Sequence, residues 1–204
     1  MNNEQSQIFT IGHSNHSLEA FVALLRQHGV TALADVRSAP FSRFSPQFNK
    51  MDLEQKIKTE GIKYVFLGRE LGARPKDQFC YEYGQVQYER LKDTALFKAG
   101  IERVIQGSKQ HVIALMCAEK DPLQCHRFLL VARALVNLDV PVAHILATGD
   151  LELHEITMAR LPDPAGSAQD DLFDRKEDLI LSSQEKRVAY VDKNRASNKK
   201  QDVA

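Results

Sequence analysis

The sequence predicts an α/β protein: a three-layer domain with a mostly parallel sheet flanked by helices. Three observations predict it. Short apolar runs rich in β-branched residues alternate with stretches of helical periodicity through most of the chain. The run HVIALMC at 111–117 is apolar without alternation, as a strand buried on both faces must be. Unusual polar residues collect directly after the strands, where sheets of this type bind ligands.

The elements follow in order. Ile8 to Ile11 is a first strand closed by Gly12. Ser17 suits an N-cap, and Leu18, Phe21, Val22, Leu24 and Leu25 recur at helical spacing until Gly29. VTALADV at 30–36 is a second strand, and FSRFSPQFNK at 41–50 is a loop rich in Ser, Pro and aromatic residues. Residues 51–60 suit a helix and 62–67 a third strand. An irregular segment precedes one expected helix over 86–106. After the strand at 111–117, Asp121-Pro122 starts a nearly all-apolar helix reaching about Leu138. Strands are expected at 141–146 and 151–156. Residues 1–160 thus form the α/β domain, 161–168 a linker, and 169–204 a partly disordered C-terminal tail.

Composition narrows the function classes. With 27 Lys+Arg against 27 Asp+Glu, the chain is unsuited to coating nucleic acid or membrane by bulk charge. Three cysteines make no disulfide framework, no run is long enough to span a membrane, and no signal peptide is evident. A cytoplasmic location is expected. Locally the balance differs, since residues 37–76 carry nine Lys+Arg against four Asp+Glu. Phe41, Phe44 and Phe48 interleave with Arg37, Arg43 and Lys50, as phosphate contact with base stacking requires, or as a capped core edge requires.

Candidate site residues lie in three segments. The first is His13, Ser14 and Asn15 after strand one; the second is Asp35, Arg37, Arg43 and Asn49. The third is Cys117, Glu119, Cys125, His126 and Arg127. His13, Asp35, Cys117, Glu119 and His126 are the catalytic candidates, as proton-handling groups or a nucleophile. Ser14, Asn15, Arg37, Arg43, Asn49, Cys125 and Arg127 are the substrate-binding candidates. Asp35 is either a general base or the partner of a structural ion pair with Arg37 or Arg127. Cys117 and Cys125 are either packing residues or thiols activated by nearby arginines and a helix N-terminus. The spacing C-x7-C-H matches no usual zinc pattern, so neither a metal nor a cofactor is expected.

The motifs TIGHSNHS at 10–17, DVRS-x-P-x-SRF at 35–44, PQFNK at 46–50 and MCAEKDPLQCHR at 116–127 resemble the family called domain of unknown function 488. That resemblance, over roughly residues 7–156, implies a Rossmann-like domain with a polar site built from those motifs, and it brings no settled activity. The order of strand, Asp-Val-Arg and later Cys-bearing loop is also similar to rhodanese-like sulfurtransferases, without their compact Cys-to-Arg loop. Gln169, Leu172 and Phe173 lie in QDDLF, which resembles the pentapeptide that docks on bacterial sliding clamps; the same segment could instead fold back on the domain. The expectation is an enzyme acting on a phosphate-bearing substrate, a nucleotide or a nucleic acid lesion. The alternatives are a nucleic-acid accessory protein recruited by a sliding clamp, and a thiol or sulfur-transfer enzyme.

Overall fold

The computed structural model describes residues 7–162 and 176–197. Six strands form one sheet: β1 (Ile8–Gly12), β2 (Ala32–Asp35), β3 (Lys63–Phe66), β6 (Ile113–Cys117), β7 (Val142–Ile145) and β8 (Leu151–Leu153). Their order is β3-β2-β6-β1-β7-β8, parallel except for the antiparallel edge strand β8. β4 (Tyr81–Glu82) and β5 (Gln85–Val86) make a separate hairpin.

Alternation along the strands divides the core in two. Phe9, Ile11, Leu33, Ala114, Met116, Ala143 and Ile145 point to one face. There they meet Phe21, Val22 and Leu25 of α1 (Leu18–Gln27) and Leu53 and Ile57 of α2 (Lys50–Thr59). Ile8, Ala32, Ala34, Leu115, Cys117 and Val142 point to the other. That face is covered by α3 (Tyr88–Lys92), α4 (Ala95–Ser108) and the helical segment from Arg127 through α5 (Arg133–Val136). Two apolar layers around one sheet give the three-layer α/β architecture.

Four elements depart from the sequence expectation. The helix expected over 86–106 is two, because the Thr94 hydroxyl accepts from Phe97 N and caps a new helix. Within the segment read as irregular, Tyr83 and Gly84 both take positive φ (49° and 79°) and close the β4–β5 hairpin. The helix expected from Asp121 begins as a 3-10 turn, Pro122–Gln124, and breaks at Cys125, whose backbone is extended (φ −139°, ψ 141°). It then continues as a π-helical stretch, Arg127–Ala132. The strand expected to reach residue 156 stops at Leu153, where α6 (His154–Ala159) begins.

After the undescribed 163–175, α7 (Lys176–Val188) lies on the domain. Leu181 and Ala189 are buried, Gln184 Nε2 donates to the Leu123 carbonyl, and Tyr88 N donates to Glu185. Tyr190 and Val191 then run beside β5, and α8 (Lys193–Ser197) follows. Among the described residues, no helix is long and apolar enough to cross a membrane.

Candidate functional site

The carboxyl ends of β1, β2 and β6 adjoin, with Gly12 opposite Cys117 and Asp35 opposite Met116. This register brings the three sequence segments together. Gly12 is required there, since a Cβ would stand 1.9 Å from the Glu119 carbonyl oxygen. His13 N and Ser14 N donate to the carbonyls of Cys117 and Ala118, tying the first loop to the third.

Around Asp35 the polar groups satisfy one another. Arg37 donates to its carboxylate from Nε (2.9 Å), Nη2 (2.7 Å) and the backbone N (3.1 Å), and Tyr64 OH adds a fourth bond at 2.7 Å. Asp35 is fully buried, so these donors occupy its lone pairs and hold it as a structural anion. Arg37 Nη2 also reaches the Phe48 carbonyl, and its Nη1 meets His13 Nε2 at 3.1 Å. Because the Ser14 carbonyl can only accept, the 3.0 Å contact there makes His13 Nδ1 the protonated nitrogen and Nε2 the acceptor from Arg37. Burial, and then Arg37, lower the His13 pKa to about 4. A neutral His13 stacked on Phe48 is a wall rather than an acid at neutral pH.

Arg127 is also committed to the protein. It is 1% exposed, and its Nη1 and Nη2 donate to the carbonyls of Glu119 and Lys120. It therefore clamps the loop that follows β6. Ser14 hydrogen-bonds Asn15 at the surface, Asn49 Oδ1 accepts from Ser42 N, and Arg43 is exposed. None of these four lines the cavity described next. Of the three loop phenylalanines, Phe48 is core, whereas Phe41 and Phe44 are exposed.

That cavity, about 230 Å³, has Cys117, Cys125, His126, Arg37 and Tyr88 as its buried floor. Its rim includes exposed Glu119, Arg74 and Gln124, with Val188 and Tyr190 from the C-terminal segment forming another wall. His126 Nε2 lies 3.1 Å from the Val36 carbonyl, which only accepts, so this nitrogen carries hydrogen. His126 Nδ1 then faces Cys117 Sγ at 3.6 Å and Cys125 Sγ at 3.9 Å. Val36 stands between Asp35 and Arg37, so their ion pair fixes the carbonyl that orients His126.

The two thiols behave oppositely. Burial pushes the Cys125 thiol up, but the Cys117 hydrogen bond, the Arg127 charge and His126 outweigh it and hold Cys125 well below the usual range. The same hydrogen bond, followed by burial, raises Cys117 well above it. Burial, with the Cys125 charge, also raises the Glu119 carboxyl. Cys117, Cys125 and His126 are the described residues whose ligand atoms could together hold a metal. The Tyr88 hydroxyl, buried without a hydrogen-bond partner, was not singled out by the sequence, nor was Tyr64. No sequence motif marks either tyrosine.

A larger opening of about 1260 Å³ lies between α7 and α6, but it gathers no cysteine and a single arginine. Gln169, Leu172 and Phe173 lie outside the described residues.

The family described as domain of unknown function DUF488 matches residues 17–134, which include Asp35, Arg37 and the whole Cys117–Arg127 segment. The chain belongs to the DUF488 family. The DUF488 chain also shows a likeness to a crystal structure from Shewanella putrefaciens CN-32 described as "Putative phosphatase (DUF442)". Identity is 15%, covering 92% of this chain and 93% of that one, with a TM-score of 0.38. Comparison with curated proteins finds no match.

Proposed function

We propose that this DUF488 protein is a thiol-dependent group-transfer enzyme with Cys125 as its nucleophile. The observation that carries the reading is the Cys125–His126–Val36 arrangement: a buried sulfur facing a ring nitrogen whose opposite N–H is fixed by a backbone carbonyl. Nucleophile, base and orienter are the three parts that nucleophilic catalysis needs. His126 takes the Cys125 proton as the thiolate forms, and Arg127 N donates to the sulfur. Glu119 at the rim supplies a proton to the departing group.

The substrate is small, electrophilic and anionic. The cavity is about 230 Å³, and one Nη1 hydrogen of Arg37 together with exposed Arg74 gives it positive charge. A phosphate cradle built from Arg37, Arg127 and His13 has less support, because Arg127 is 1% exposed with Nη1 and Nη2 on two carbonyls, and His13 accepts from Arg37.

Thiosulfate is a suitable probe, being small, doubly charged and a donor of sulfane sulfur. The Cys125 thiolate attacks the outer sulfur, an S–S bond forms, the S–S bond of thiosulfate breaks, and sulfite leaves with the electron pair. Intact-mass analysis should show one added sulfur on Cys125, removed by cyanide as thiocyanate and absent from Cys125→Ser. Persistent lack of an adduct, or the same adduct on Cys125→Ser, would overturn the reading.

A further inference from the structure

The geometry points to a zinc site at Cys117, Cys125 and His126, whose occupancy excludes the thiol chemistry proposed above. The inference rests on that chemistry only for its consequence, not for the metal site itself.

The argument begins with distances. For zinc–sulfur bonds of about 2.3 Å, zinc–nitrogen bonds of about 2.0–2.1 Å and tetrahedral angles, sulfur and nitrogen ligands sit about 3.6 Å apart and two sulfurs about 3.8 Å apart. His126 Nδ1 is 3.6 Å from Cys117 Sγ and 3.9 Å from Cys125 Sγ, and all three atoms lie within 4.8 Å of one another. The two nitrogen–sulfur edges are close to those of a tetrahedral zinc face, and the sulfur–sulfur edge is no longer than 4.8 Å.

The outer contacts agree. A metal-binding histidine typically donates its other N–H to a carbonyl or carboxylate, which fixes the tautomer and aims the bare nitrogen. His126 does this through Nε2 to Val36 O, leaving Nδ1 available. Arg127 N also donates to Cys125 Sγ at 3.5 Å, a contact that supports a bound thiolate. All three ligand residues are buried. Two adjacent thiolates in such surroundings repel, and either a shared proton or a dication resolves the repulsion. Soft sulfur ligands with one imidazole suit Zn²⁺.

Three protein ligands leave the fourth position open, the pattern of reactive rather than structural zinc sites. Here it faces the cavity that also holds the unpartnered Tyr88 hydroxyl. The sequence hides the site because the C-x7-C-H spacing is unusual. It works because Cys117 ends β6, the intervening residues make a loop and a 3-10 turn, and extended Cys125 returns its sulfur to the strand end.

The test uses the full chain, stripped with a chelator and titrated with Zn²⁺ against a chromophoric competitor, and separately with Co²⁺. One metal should bind per chain, and Co²⁺ should show thiolate charge-transfer bands with tetrahedral d–d intensity. Cys117→Ser should weaken Zn²⁺ by more than the 10–100-fold that loss of an outer partner costs. Cys80→Ser, outside the three-ligand set, should leave affinity unchanged, and circular dichroism checks that each variant folds. Bound Zn²⁺ should also slow alkylation of Cys117 and Cys125 in the folded chain. Lack of binding at micromolar Zn²⁺, or binding unaffected by Cys117→Ser in a folded chain, overturns the inference. A chain that accepts sulfur on Cys125 but binds no Zn²⁺ removes this inference alone. One that binds Zn²⁺ yet never accepts sulfur in its metal-free form removes the thiol-transfer reading alone.

Discussion

Asp35→Asn should destabilise the fold severely, because the carboxylate is the counter-ion of a buried guanidinium. Asp35 is 0% exposed and Arg37 is 7% exposed, so water can replace neither partner. Arg37 gives Asp35 three of its hydrogen bonds and Tyr64 the fourth, at 2.7–3.1 Å. An amide offers one accepting atom and would set its NH2 against donors. Breaking one side of a buried pair costs about 3–5 kcal/mol. With a urea slope of about 2 kcal/mol per molar, the unfolding midpoint should fall by roughly 2 M. The double variant Asp35→Leu plus Arg37→Met leaves no orphaned charge, so it should cost less than the sum of the two single losses. Equilibrium urea unfolding of the unmutated protein, Asp35→Asn, the two single variants and the double variant gives the comparison. A loss under about 1 kcal/mol for Asp35→Asn, or additive single losses, would refute the account of Asp35 as a structural anion.

Other predictions follow from neighbouring contacts. Burial, then His154 and nearby arginines, lowers His144 to about 3, and burial lowers His154 to about 4. Their ordinary value is near 6.5, so the unfolded chain binds more protons between pH 6.5 and 3, and stability should fall as pH drops through that window, by up to about 1.4 kcal/mol per unit for each histidine. His154→Phe should flatten the fall between pH 7 and 5 in urea unfolding, and an unchanged slope would contradict this. Gly12→Ala drives its Cβ onto the Glu119 carbonyl, so the loop carrying Cys117 must shift; a loss of about 1–3 kcal/mol and of sulfur uptake is expected, checked by unfolding and intact mass. Leu181→Ala empties a buried position under α7 and should cost about 2–5 kcal/mol, whereas a change within 0.5 kcal/mol would show that α7 contributes little.

The sheet was legible because its strands are apolar in sequence. HVIALMC reads as a buried strand, and β6 is the centre of the site. The junctions were less so. Thr94 caps a helix inside a stretch whose apolar spacing looks continuous, and Cys125 breaks another in which no glycine or internal proline marks the break. The site residues were legible as a gathering, since strand-end position alone places Asp35, Arg37, Cys117, Cys125 and His126 together. Their roles were not. Whether Arg127 meets a ligand or a carbonyl depends on where the Glu119 and Lys120 backbone turns, which no residue pattern states. No sequence motif pairs His144 with His154, because they meet only through the antiparallel β7–β8 pairing, which brings His144 Nε2 within 3.3 Å of His154 Nδ1.

The most direct measurement is peptide mapping of the metal-free protein after brief exposure to thiosulfate. Cys125 should carry the added sulfur, with Cys117 and Cys80 unmodified, and His126→Ala should lose the adduct while remaining folded by circular dichroism. Sulfur on Cys117 or Cys80 instead, or an adduct indifferent to His126, would contradict Cys125 as the nucleophile.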